Sequence, residues 1–411
     1  MKISFFGHFG QGNFGNEITL QAILYHLRRM VPNAEVTCIC TGPETVGPAY
    51  NIAAVPIGGA VFKPWAFRTN PLARLVRKIF VGIPSELYRC LRILMTLRNT
   101  DLLIVPGTGL LTDAYGLFNW GPYSMFKWSA LAKLCHCKLF FVSVGAGPIS
   151  GAIGRCLVKS TLSLADFRSY REKSTVQYLK SIGFRAENDP IYPDLAFSLP
   201  EAFIPHEEGR TCRRVVVGVG LMDYNGMYGT ATSNVTYTEY LANLTTFVKW
   251  LLAHEYSVRL LIGDISDKRV AQDFKSMLAE QLTPADQRYV IDEPAACVEQ
   301  LLLQLADTDI VVATRFHNII LALLVNIPVL SISFHHKCFS LMSSMGLSEY
   351  CQDIKDLTAD RLIEQFCHLQ KNAESLKPMI RQRAEVFRKA LDVQYKLIFQ
   401  DLRDPQRAEG V

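Results

Sequence analysis

A chain of 411 residues is longer than one ordinary hydrophobic core serves, so two domains of comparable size are expected. With 49% apolar and 20% charged residues it lies far from the composition of disordered chains, and a net charge of 43 − 38 = +5 is too small over this length to indicate a nucleic-acid binder. The 11 cysteines fall without CxxC pairing or zinc-finger spacing, which argues against a disulfide framework or structural zinc and for a reducing, cytoplasmic setting.

The chain opens Met1-Lys2-Ile3-Ser4-Phe5-Phe6-Gly7, an apolar stretch too short for a secretion signal. No run reaches the roughly eighteen apolar residues that would span a bilayer. Residues Ile3–Phe6, Glu35–Cys40, Leu102–Val105 and Lys138–Val144 read as buried strands separated by helical patterns, a βαβ alternation that predicts a doubly wound first domain. Right after the first strand, Gly10, Gly12 and Gly15 have dinucleotide-fingerprint spacing. The second strand, however, ends Cys38-Ile39-Cys40-Thr41-Gly42 and offers no acid for a ribose hydroxyl, so the loop reads as a polar ligand-binding turn. Asn13, Asn16 and Glu17 are its candidate hydrogen-bonding groups, with Asn16 also a candidate helix cap.

From Lys63 to Arg98 the chain is basic, with Glu86 the one acid among Lys63, Arg68, Arg74, Arg77, Lys78, Arg89, Arg92 and Arg98. Two readings stand for it: a helix with a solvated face, or a surface for a membrane or anionic ligand. Pro106-Gly107-Thr108-Gly109-Leu110-Leu111-Thr112-Asp113 forms a second strand-end glycine loop, and Gly107 and Gly109 beside the first loop suggest a shared pocket. A tight turn capped by Thr108 or Asp113 is the plainer alternative. Arg171 ends a short strand, where its guanidinium can grip a carboxylate or phosphate or form a surface ion pair.

Pro200 to Arg214 reads as an interdomain linker. The alternation then restarts with strands expected at Arg214–Val219, Ser257–Ile262, Tyr289–Ile291, Asp309–Ala313 and Val329–Ser333, a helix over Tyr237–Ala253, and charged helix from Ala359 to Asp401. The expected domains are 1–200, 211–355 and a helical 356–411, the last packing across the lobes or capping the second. Ala313-Thr314-Arg315-Phe316-His317-Asn318 joins a strand end to an apolar helix. Arg315 offers fixed charge there, His317 titrates near neutrality and can pass protons, and Lys337 follows the next strand. His335, His336 and Cys338 with His317 do not make a metal site, because adjacent histidines cannot easily share one ion and Lys337 would repel it; Cys135-His136-Cys137 has no second half.

In order and spacing these pieces resemble the polysaccharide pyruvyl transferase family. The matching residues are Gly12-Asn13-Phe14-Gly15-Asn16-Glu17, Gly109-Leu110-Leu111-Thr112-Asp113, Arg171-Glu172-Lys173-Ser174, Arg315-Phe316-His317 and Lys337, with Asp194 before Ala196-Phe197 also in keeping. The resemblance implies an α/β fold of two Rossmann-like lobes facing a cleft, GT-B-like, with phosphoenolpyruvate as donor and neither metal nor cofactor. It carries the donor site to Arg171, Arg315 and His317, with Lys337 close by. The implied acceptor is a sugar of a polysaccharide or its lipid-linked oligosaccharide precursor; the expected setting is the cytoplasm, with peripheral contact at the cytoplasmic membrane face as an open option for the basic stretch. Asn16 and Glu172 stand where relatives usually show Asp, and Phe334-His335-His336 replaces the usual Tyr and acid before the Lys. A nucleotide-sugar glycosyltransferase of the same fold and a non-catalytic assembly subunit are the competing readings.

Overall fold

The computed structural model describes residues 1–58, 78–107, 109–113, 116–117, 121–205, 214–224 and 231–400. Thr108, the part of the basic stretch before Lys78, residues 206–213 of the expected linker and Asp401 lie outside the described residues.

The chain separates into two compact units, one holding Met1–Gln11, His26–Asp194 and Phe399, the other Gly12–Tyr25 and Leu195–Ile398. The first contains β1 (Lys2–Gly7), β2 (Glu35–Cys40), β3 (Ala53–Pro56), β4 (Leu102–Pro106), β5 (Lys138–Val144) and β6 (Phe167–Tyr170). They form one parallel sheet in the order β3-β2-β1-β4-β5-β6. The second contains β7 (Val216–Leu221), β8 (Ser257–Ile262), β9 (Val290–Ile291), β10 (Ile310–Ala313), β11 (Val329–Ser333) and β12 (Cys351–Asp353). Its order is β12-β11-β10-β7-β8-β9, all parallel. Counted within each unit, both sheets have the Rossmann order 3-2-1-4-5-6.

The apolar runs make these strands because a parallel sheet is covered by helices on both faces and needs apolar residues at successive positions. Ile3, Phe5 and Phe6 of β1 are buried, as are Val217, Val219 and Leu221 of β7. The central strands lie where the sequence predicts them, within a residue or two. Sequence reading passes over β3 and β12, whose Ala-Ala-Val-Pro and Cys-Gln-Asp carry too short an apolar signal and which lie at sheet edges. The second unit also holds most of the helix Ala359–Phe399, which buries Leu362, Phe366 and Leu369 early and Leu391 and Tyr395 late. Phe366 packs edge-on to Phe247, and Tyr395 shares a hydrogen bond with Ser198.

Strand order changes direction between β1 and β4 in one sheet and between β7 and β10 in the other. Loops leaving the carboxyl ends of those strands are where open α/β sheets place ligands. The Gly7 and Gly107 loops flank the first switch point, and the Arg315 loop borders the second.

Candidate functional site

In the second unit, three segments meet: Gly12–Glu17, the Gly263–Asp267 turn after β8, and Arg315–His317 after β10. Backbone bonds lace the first two, from Phe14 N to Gly263 O (3.1 Å) and from Ile265 N to Gly12 O (2.9 Å). The Asn13 amide donates to Asp264 Oδ2 at 2.7 Å, while its own Oδ1 accepts from Asn16 N at 3.1 Å. Asn13 therefore caps the helix Phe14–Met30, and Asn16 is its third residue rather than its cap. Glu17 stands in the first turn, where the helix dipole favours a carboxylate.

His317 lies on this helix start. A Cβ built at Gly15 would overlap the imidazole at Nδ1, so only glycine lets the ring approach the backbone this closely. Next to it, Arg315 is fixed by a two-point bond to Asp267, Nε to Oδ2 at 2.8 Å and Nη2 to Oδ1 at 2.5 Å. Asp267 is fully buried and also accepts from Asp223 N at 2.9 Å. Burial pushes its carboxyl above the ordinary range, against the pull of the Arg315 charge and hydrogen bonds. Lys337 joins the group through ring faces, its ammonium 5.0 Å from the Phe316 centroid and 5.1 Å from that of Phe334. His335 caps the helix that carries it.

The first unit holds Arg171, Gly107 and Gly109. Arg171 leaves β6 and is nearly buried between Asp194 (Nη1 to Oδ2, 3.2 Å) and Glu172 (Nε to Oε1, 3.9 Å). Its guanidinium lies over Gly145, where an added Cβ would come within 2.8 Å of Nη2. Gly107 N bonds Val142 O at 2.8 Å, and the loop beyond Gly109 is tied to the one after β5. Gly147 N donates to Leu111 O, Thr112 Oγ1 to Pro148 O, and Ser150 N to Asp113 Oδ2.

The structure thus brings together Asn13, Asn16, Glu17, Arg315, His317 and Lys337, and sets Arg171 among carboxylates of its own unit. Sequence reading misses Asp264 and Asp267. The signal was present, since Gly263-Asp264-Ile265-Ser266-Asp267 follows a buried strand as the other ligand-type loops do. Among the described residues no group of three or more His, Cys, Asp or Glu is placed to hold a metal ion, and every cysteine is a free thiol.

Two Rossmann-like units with these sheets define the GT-B class. The UDP-GlcNAc 2-epimerase from Neisseria meningitidis bound to UDP-GlcNAc aligns with a TM-score of 0.58 at 12% identity, over 97% of this chain and 100% of that one. A glycosyltransferase from Rickettsia africae ESF-5 aligns with a TM-score of 0.54 at 12% identity, over 97% and 98%. Identities this low speak to fold alone. Within that class the chain belongs to the polysaccharide pyruvyl transferase family, whose sequence pattern matches residues 13–336. It is similar to the amylovoran biosynthesis protein AmsJ of Erwinia amylovora, 19% identical over 310 residues and 70% of each chain. Family membership makes it a transferase of polysaccharide biosynthesis.

Proposed function

We propose that this transferase moves the pyruvyl group of phosphoenolpyruvate onto two hydroxyls of one sugar, in a polysaccharide or its lipid-linked precursor, forming a ketal. The observation that carries the reading is the seating of His317 on the Phe14–Met30 helix start, beside an Arg315 locked by Asp267. A proton must reach the methylene carbon of the donor, making it a methyl group and leaving C2 electrophilic. One sugar hydroxyl adds to C2, the C2–O bond to phosphate breaks, and the second hydroxyl closes the ring. Of the two hydroxyl protons, one replaces the proton given to the methyl and the other leaves with inorganic phosphate. The atoms balance with no redox partner, so the reading needs no cofactor.

His317 is the group to give and take protons, since an imidazole is matched to that work near neutrality; in this reading Glu17, in the first turn of the Phe14–Met30 helix, is the acid that shares the role. Arg315 and Lys337 offset the charge of the donor carboxylate and departing phosphate. Arg171 enters as a donor-binding residue on the family pattern alone, with Asn13, Asn16 and the Gly107 and Gly109 backbone as polar contacts. The cytoplasm, which holds phosphoenolpyruvate, is the compartment this chemistry requires.

Titration calorimetry with phosphoenolpyruvate tests the reading. Saturable binding is expected, lost when Arg315→Met and Asp267→Leu remove both charges together so that no buried charge is left unpaired. The His317→Ala variant should keep donor binding and lose phosphate release with acceptor by at least about a hundredfold. Unchanged turnover in that variant removes His317 from the mechanism. Binding of a nucleotide sugar in place of phosphoenolpyruvate would move the function to glycosyl transfer, and full biological function without turnover would make the chain an assembly subunit.

A further inference from the structure

The helix Ile83–Leu97 in the first unit is apolar on its outer face as well as at its buried contacts. Its inner arc carries polar residues among the buried Ile93 and Leu97. Glu86 there accepts from Lys127 (2.5 Å), Arg89 (2.9 Å) and Tyr123 (3.0 Å). Its outer row, at the four-residue spacing that stacks side chains on one face, is Ile83, Leu87, Leu91 and Met95. Tyr88 and the preceding Phe80 extend that row, and exposure reaches 60% at Leu87, 67% at Met95 and 73% at Phe80. Single exposed apolar residues are ordinary, but a contiguous row of them marks a contact surface.

Charge identifies the occupant. From Lys78 to Arg98 the cations are Lys78, Arg89, Arg92 and Arg98 against the single acid Glu86, which is already matched by Lys127 and Arg89. Arg92 follows the apolar row on the helix surface and Arg98 closes its carboxyl end. A second copy of the chain would bring the same positive charge against this face. An anionic bilayer supplies both the apolar depth and the opposite charge, as it does for helices that lie in the headgroup plane. We propose that Ile83–Leu97 docks this transferase on anionic membrane, its outer row entering the acyl boundary and Arg92 and Arg98 meeting lipid phosphates. The inference stands apart from the donor reading, since it uses no residue of that site.

Flotation of the full chain with vesicles of phosphatidylcholine, with and without phosphatidylglycerol, tests it. The chain should float with the phosphatidylglycerol vesicles only, and less so as salt rises. Leu87→Ser with Leu91→Ser and Met95→Ser should abolish flotation, while the thermal midpoint and phosphoenolpyruvate binding stay unchanged because these side chains face outward. Arg92→Gln with Arg98→Gln should weaken binding about fivefold for each arginine removed. Absence of flotation, or equal flotation on phosphatidylcholine alone, would overturn the proposal. So would a concentration-dependent dimer that the serine variant abolishes in the absence of flotation, which would assign the face to a second copy.

Discussion

Gly15 and His317 are 302 positions apart, and each explains the other. Glycine costs a helix about 1 kcal/mol relative to alanine, so its presence at the second residue of Phe14–Met30 calls for a reason, and the imidazole lying on it is one. Gly15→Ala should therefore expel the ring, lowering phosphate release about 10- to 100-fold without unfolding the chain, because small misplacements of a reacting group are that costly. If the variant instead melts higher and turns over normally, the ring is not held by this contact. The glycine spacing was legible in the sequence as a polar ligand-binding turn, but what Gly12 and Gly15 make room for was not. The real neighbours of that loop, Ile265 and His317, come from distant segments that no local pattern can connect.

Among elements, one buried carboxylate ties three strand ends together. Asp267, after β8, accepts from the backbone of Asp223 after β7 and from the guanidinium of Arg315 after β10. Removing half of a buried pair leaves an unmatched charge, which costs about 3–5 kcal/mol, whereas removing both halves is far milder. Asp267→Asn should lower stability in urea by that amount, and Arg315→Met with Asp267→Leu should recover most of it. Equal stability of the single variant and the parent would show that the pair is incidental to the strand ends. Arg315 was readable as a strand-end cation with an anionic purpose. That its first partner is an aspartate was not readable, since Asp267 lies in a short turn outside any periodic pattern. The helix Ile83–Leu97 shows the same limit in reverse: its apolar stripe is plain in the sequence, but only packing reveals that the stripe faces outward.

For the whole molecule, the two sheets repeat one strand order without any sequence repeat, so the constraint is on pattern and not on identity of residues. Stability as a function of pH is a property at this scale, and His8, after β1, should contribute a visible part of it. Burial lowers its pKa from 6.5 to about 4, so the folded chain keeps it neutral. Above pH 6.5 neither state holds the proton and His8 contributes nothing to the slope. As pH falls from 6.5 towards 4 the unfolded chain takes up a proton that the folded chain refuses, and stability declines by up to about 3 kcal/mol. Urea titrations across that range should show His8→Gln losing less stability than the parent, all other groups cancelling in the difference. Parallel profiles would mean that His8 is protonated in the fold.

The sequence by itself determined the α/β class, the central strands, the restart of the pattern after the first unit and the family to which the chain belongs. Each of these is written in short-range apolar periodicity or in motif order, which neighbouring residues carry. Only the tertiary structure decided that Asn13 caps the first helix while reaching Asp264, that Asp267 holds Arg315, that His317 rests on Gly15, and that Leu87, Leu91 and Met95 are bare. These are contacts between segments far apart in the chain, or their absence, and they are set by how strand ends and helix faces pack in space.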